Sequence, residues 1–214
     1  MTMNFTTLLT ETDPRGIAII TLNRPEVHNA FDDVMIGELT RAFNTHGADE
    51  RVRAIVVEAN GKSFCAGADL NWMKRAANYS PEESRRDAMA LATMLRTVYE
   101  CPKPVIARIQ GNAFGGGVGL IAACDIAFGV HSALFSLSEV KLGIIPSAIS
   151  PYVVNAIGAR QASRYFLTAE RFTASEAYRI GLLHDLSTVV EGVDELIAQS
   201  LASLLGNGPQ AMSE

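Results

Sequence analysis

QGNAFGGGVGLIAACDIAFGVHSALFSLSE, residues 110–139, carries the strongest signal in the chain. Three consecutive glycines, Gly115 to Gly117, follow the β-branched run Pro104-Val-Ile-Ala-Arg-Ile and precede Val118-Gly-Leu-Ile-Ala-Ala-Cys, which has the length and composition of a short buried helix. The order is strand, glycine turn, helix. Backbone without a Cβ can be approached closely, and the first amides of a helix have no intrahelical acceptor, so such a turn presents N–H donors to negative charge. Ser138-Glu139 closes the stretch after the apolar run Leu134-Phe-Ser-Leu, so a carboxylate can face those donors. Donors plus one acid are the minimum for stabilising an oxyanion while moving a proton.

A second turn of the same kind lies upstream. Gly16-Ile-Ala-Ile-Ile-Thr-Leu22 and Ala54-Ile-Val-Val-Glu-Ala59 read as buried strands. The second runs through the turn Asn60-Gly61-Lys62-Ser63 into Phe64-Cys-Ala-Gly-Ala-Asp-Leu70, small residues just before the helix-like Leu70-Asn-Trp-Met-Lys. Two such turns can share one ligand. Between the strands, a helix is expected from near Asp32, with Val34, Ile36, Leu39 and Phe43 on its apolar side. Ser80-Pro-Glu-Glu83 has the signature of a helix start with a capping box, and Ala88, Leu91, Leu95 and Val98 mark the buried face that follows. Further helices are expected at 152–157, 159–167, after the capping box Thr173-Ala-Ser-Glu176, and from about 191 to 205.

Composition narrows the function classes. At 214 residues with 48% hydrophobic content, one α/β domain with a substantial core is the default. A net charge of −5 without basic runs argues against a nucleic-acid surface, and Trp72 and the phenylalanines read as core rather than base-stacking residues. The segment MTMNFTTLLTETD makes a poor signal peptide, and the apolar region 113–130 is too short and glycine-rich to span a membrane. Three cysteines, Cys65, Cys101 and Cys124, lack metal-ligand spacing, and a reduced, cytoplasmic compartment is expected with no metal. His28, His46, His131 and His184 have no nucleophile partner signature. Gly117-Val-Gly119-Leu-Ile-Ala122 matches a dinucleotide fingerprint with Glu139 downstream, but it sits in mid-chain and Asp125-Ile-Ala-Phe follows too early for the usual crossover.

Taken together, Asn23-Arg24-Pro25, His28-Asn29-Ala30, Ser63-Phe-Cys-Ala-Gly-Ala-Asp69, Gly111-x-Ala113-x-Gly115-Gly116-Gly117, Cys124-Asp125-Ile126 and Glu139-Val-Lys-Leu-Gly-Ile-Ile-Pro146 resemble the crotonase superfamily, the enoyl-CoA hydratase/isomerase family. The resemblance runs in register from about Gly16 to Leu186. It implies a spiral of ββα units over residues 1–190, and an oxyanion hole for acyl-CoA thioesters built from the backbone N–H groups of Ala68 and Gly116. It also implies acyl-CoA contacts at Ala66, Gly67, Asp69, Leu70 and Gly115, and contacts to pantetheine or nucleotide from Glu26, Val27 and His28. No further cofactor is implied, since coenzyme A belongs to the substrate.

Hydratases of the family usually place two glutamates at the substrate double bond. The second matches Glu139, whereas the first falls on Gly119. The surroundings of Glu139 most resemble a bacterial subgroup usually assigned as methylglutaconyl-CoA or terpenyl-glutaconyl-CoA hydratases. Hydration of a branched or glutaconyl-type enoyl-CoA is therefore expected. The rivals are Δ3,Δ2-isomerisation with one glutamate and a catalytically silent acyl-CoA-binding or assembly subunit. Family members continue through helices that build a homotrimer or dimer of trimers, so 191–214 reads as the start of a C-terminal helical region cut short at Glu214.

Overall fold

The computed structural model describes residues 4–213. Residues 1–3, which open the segment judged a poor signal peptide, and residue 214, where the expected C-terminal region stops, lie outside the described residues. The larger sheet has six strands in the order β1 (Leu8–Thr12), β2 (Ile17–Leu22), β3 (Ala54–Ala59), β5 (Val105–Ile109), β7 (Ile126–Val130) and β10 (Asp185–Ser187). All pairs are parallel except β1 with β2. Parallel strands covered on both faces require near-continuous apolar runs, which is what β2, β3 and β5 supply. Ile17, Ile20, Ile55, Val57, Val105 and Ile109 are at most 1% exposed. β1 was not expected, because LLTET buries only Leu8 and gives no strand pattern by itself. Pairing with β2 holds it at the edge.

The smaller sheet contains β4 (Ser63–Cys65), β6 (Asn112–Phe114), β8 (Leu134–Ser136) and β9 (Phe172–Thr173). β4, β6 and β8 are parallel neighbours, and β9 is antiparallel to β8. The chain thus repeats one pattern: a strand of the large sheet, a strand of the small sheet, then helix. β3 and β4 lead to α2 (Leu70–Ala76) and α3 (Pro81–Tyr99), β5 and β6 to α4 (Gly116–Ala123), and β7 and β8 to α5 (Ser150–Thr168). This is the expected α/β spiral of ββα units. α1 (Asp33–Ala48) connects β2 to β3 and packs on α3 and β1, while α6 (Ala174–Arg179) and α7 (Val190–Leu205) close the chain.

Several local expectations are corrected. Asp32 caps α1 by accepting from the Met35 amide at 2.8 Å, but Val34 is 45% exposed and Met35 takes its place in the core. The capping box of α3 forms as read, with Glu83 accepting from the Ser80 amide at 2.8 Å. Its buried face, however, is Met94, Leu95 and Val98, while Ala88 is exposed and Leu91 only half-buried because that part of α3 borders a cavity. A short strand, β6, stands between β5 and the glycines, and α4 begins at Gly116 rather than Val118. Gly158, at φ +76°, separates the two expected helical segments inside α5. At α6 only half the box forms, since the Glu176 carboxylate accepts from Arg179 and Tyr165 instead. The segment set apart from residue 191 joins the main core: Val193, Ile197 and Leu201 of α7 are buried with it, and α7 packs on β5, β7 and β10. Among the described residues no helix is long and apolar enough to cross a membrane.

Candidate active site

Three parallel neighbours of the small sheet end side by side. Cys65 is in register with Ala113, Ala113 with Phe135, and Phe114 with Ser136, so the residues that follow each strand emerge along one edge. Loops beyond the C-terminal ends of parallel strands are where α/β proteins place ligands. Here those loops are Ala66-Gly67-Ala68, Gly115-Gly116 and Leu137-Ser138-Glu139, and all three contribute to one cavity of about 460 Å³. Far-apart motifs of the sequence meet there for a topological reason.

Glycine is required at the two turns that touch. Gly67 is at φ +91°, and a Cβ on it would stand 3.0 Å from the Phe114 carbonyl oxygen. Gly115 is at φ +50°, and its Cβ would stand 3.9 Å from the Gly67 Cα and 3.2 Å from Glu139 Oε1. The residues after them, Ala68 and Gly116, have amides without a recorded acceptor among the described residues. Gly116 is the first residue of α4, where no intrahelical acceptor exists. For Ala68 the cause is its bridge to Phe31: Phe31 donates to the Gly67 carbonyl at 2.7 Å and Asp69 donates to the Phe31 carbonyl at 2.8 Å, which turns the intervening Ala68 amide away from that strand. Two free N–H groups on adjoining turns suit an anionic oxygen.

Glu139 opens a 3-10 turn, Glu139–Leu142, at the same cavity. Its Oε2 is buried without a hydrogen-bond partner among the described residues. Burial pushes the carboxyl above its ordinary value of 4.5, partly offset by its own backbone N–H. A carboxylate in this state is poised to take and return a proton. Gly119, the position of the usual first glutamate, is buried in α4 and does not line the cavity. A Cβ there would stand 2.2 Å from Ile149 Cγ2 and 2.7 Å from Ile149 Cβ. Ile149, 2% exposed, lines the cavity in its place.

Arg24 fixes the first donor loop. Its guanidinium donates to the Ala30 carbonyl at 2.8 Å and lies 3.0 Å from both Asp32 Oδ2 and Asp69 Oδ2. Asp32 caps α1, and Asp69 caps α2 by accepting from the Asn71 and Trp72 amides. Burial alone would raise the Asp69 carboxyl, but the Trp72 and Asn71 amides and Arg24 outweigh it and hold the group below its usual range. Asp69 was expected to touch substrate; its carboxylate is instead committed inside the protein. Replacing Arg24 by methionine keeps the stem but leaves two partly buried carboxylates uncompensated, an expected loss of about 2–4 kcal/mol in urea unfolding. A loss below about 0.5 kcal/mol would show that solvent compensates them instead.

Ala66, Gly67, Ala68, Leu70, Gly115, Gly116 and Glu139 of the expected residues all line the cavity. Glu26, Val27 and His28 do not; they lie on a partly exposed 3-10 turn. That turn reaches the donor loop through the His28 carbonyl, which accepts from the Ala66 amide at 3.0 Å, and through His28 Nδ1 at 3.1 Å from Ser63 Oγ. Asn29 anchors it by donating to the Asn60 and Ser63 carbonyls. Sequence reading missed Phe31, Asp87 and Ile149 at the cavity and took Trp72 as core packing. Trp72 is buried but also lines the cavity and donates from Nε1 to Asp87 Oδ1 at 3.2 Å. Nothing in the local pattern around Asp87 distinguishes it from any other exposed helical acid.

A family model described as enoyl-CoA hydratase/isomerase matches residues 12–213. The chain belongs to the enoyl-CoA hydratase/isomerase family. Among its relatives, an enoyl-CoA hydratase of Alternaria alternata is 36% identical over 196 residues, covering 92% of this chain and 64% of the relative. A putative enoyl-CoA hydratase of Thermus thermophilus is 34% identical over 197 residues, covering 92% of this chain and 77% of the relative. The chain thus spans less than two thirds of the length of the first. The crystal structure of an enoyl-CoA hydratase from Shewanella pealeana superposes with a TM-score of 0.94 at 42% identity, over 98% of this chain and 77% of that one. The crotonase-like architecture of this enoyl-CoA hydratase/isomerase family member is therefore shared with solved relatives.

Proposed function

We propose that the protein hydrates the 2,3 double bond of an enoyl-CoA thioester. The observation that carries this reading is a single cavity at which two acceptor-free amide loops adjoin a buried, unpartnered carboxylate oxygen. The Ala68 and Gly116 amides donate to the thioester oxygen. Glu139 takes a proton from water, the water oxygen bonds to the β-carbon, and the π electrons move onto the carbonyl oxygen held by the two donors. The protonated Glu139 then returns its proton to the α-carbon, and the carbonyl re-forms. One carboxylate serves both steps because Ile149 fills the place of a second. Coenzyme A enters as part of the substrate and no other cofactor is invoked.

The same reading includes a branched or glutaconyl-type acyl group, following the resemblance around Glu139, with apolar side chains such as Met73, Leu91 and Ile149 packing against the alkyl part at about 0.8 kcal/mol per buried methylene. It also includes a cytoplasmic protein assembled as a trimer or dimer of trimers, which light scattering of the purified protein checks. Incubation with 2-enoyl-CoA and 3-enoyl-CoA thioesters tests the chemistry: loss of conjugated-thioester absorbance from the first supports hydration. Gain from the second without the first supports isomerisation, which the missing side chain at Gly119 favours. Binding without turnover of either, unchanged by Glu139→Gln, supports a silent acyl-CoA-binding subunit.

The raised Glu139 carboxyl fixes the pH dependence. Only its ionised form accepts the first proton, so kcat/KM for hydration is expected to rise with pH along a limb centred above the ordinary 4.5. A limb at or below that value would remove Glu139 from the role of base.

A further inference from the structure

Besides Glu139, the cavity holds one other ionisable side chain among the described residues, Asp87 of α3. Trp72 Nε1 donates to its Oδ1 at 3.2 Å, and no second donor is recorded for it among the described residues. The groups around the two acids are mostly apolar, among them Met73, Leu91, Leu142 and Ile145, with Ser138 and Ser147 the neutral polar side chains. Among the described residues no lysine, arginine or histidine lines the cavity. Arg75 is near enough to act on Asp87 but is paired with Asp33 at 2.8 Å and does not reach the lining. Among the described residues the lining therefore offers negative charge and no positive charge.

We propose that Asp87 makes this an acyl pocket for neutral chains, excluding acyl groups that end in a carboxylate while admitting branched alkyl ones. Two like charges separated by a few ångströms in a partly desolvated site repel strongly, and nothing in the lining offsets the repulsion. A neutral branched chain gains apolar contact without that cost. Within the branched or glutaconyl range of the proposed function, the cavity thus favours the branched, uncharged acyl group over the carboxylated glutaconyl one. The proposal rests on the hydratase reading for turnover only; its binding consequence stands apart.

The test compares a 3-methyl-branched 2-enoyl-CoA with its counterpart bearing a terminal carboxylate on the same backbone. In the unmodified protein kcat/KM is expected to favour the neutral thioester by about 100-fold. Asp87→Asn keeps an oxygen for Trp72 Nε1 and should reduce that preference to about tenfold or less, whereas Asp87→Glu keeps the charge and should retain it. Calorimetric Kd values for the matching saturated, unreactive pair should show the same ordering. Equal handling of the two thioesters, preference for the carboxylated one, or a preference unchanged in Asp87→Asn overturns the proposal and leaves hydration standing. Absence of turnover with both thioesters overturns hydration, and the Kd ratio then judges Asp87 by itself.

Discussion

Glu139→Gln is expected to lower kcat for hydration by about 10²–10⁴-fold and at the same time to raise the melting temperature at neutral pH. The first effect follows from losing the unpartnered carboxylate beside the donor turns: glutamine preserves the shape of the side chain but can neither take a proton from water nor return one to the α-carbon. The second follows from the cost of holding an unpartnered charge in the cavity wall. Burial raises the folded-state pKa of Glu139, so the group costs nothing at pH values below the unfolded pKa, where it is protonated in both states. The penalty grows as pH rises from the unfolded-state value toward the folded-state one and levels off above it. Glutamine removes it, and each kcal/mol relieved should appear as about 2–4 °C in Tm for a chain of this size. Thermal unfolding at two pH values separates the contributions: the stability gain should be present near pH 7 and vanish in acid. A variant with intact kcat, or one less stable at pH 7 than the parent, would contradict the role assigned to Glu139.

Gly119→Glu, which restores the side chain usual at that position, is expected to destabilise the protein rather than improve it. The new Cβ would sit 2.2 Å from Ile149 Cγ2, well inside contact distance, and neither partner is the free end of a flexible side chain. Ile149 is buried at the start of α5, and its backbone amide is held by the Pro146 carbonyl at 3.2 Å, so it cannot simply move aside. Overpacking and the burial of a carboxylate together should cost at least about 3 kcal/mol, or roughly 6–12 °C in Tm. Ile149→Gly in the same chain removes both the Cγ2 and the Cβ that conflict with it and opens a path from position 119 to the cavity. The double variant should therefore recover part of the lost stability, a non-additivity that a thermal-unfolding cycle measures directly. A single Gly119→Glu variant as stable as the parent would mean that Ile149 does not fill this site. The pair of positions also gives a physical reason for the missing second carboxylate: Gly119 is not a deletion left open, but one half of a packed contact.

Much of this protein was legible before any coordinates. The apolar runs at 17–22, 54–59 and 105–109 are continuous because strands buried on both faces leave no polar side, and the pattern therefore marks them in one dimension. Ser80 and Glu83 at α3, and Asp32 at α1, state their helix starts through hydrogen bonds spanning three residues. Gly67 and Gly115 announce close backbone approach because a positive φ excludes most other residues. Short-range physics writes such features into neighbouring letters. What folding alone decides involves residues far apart in the chain. The loops after Cys65, Phe114 and Ser136 meet only because β4, β6 and β8 pair in parallel, and no local pattern encodes that pairing. The same holds for Ile149 pressed on Gly119, for the Arg24 guanidinium bridging Asp32 and Asp69, and for Asp87, an ordinary helical acid by sequence that tertiary packing carries to the wall of the cavity.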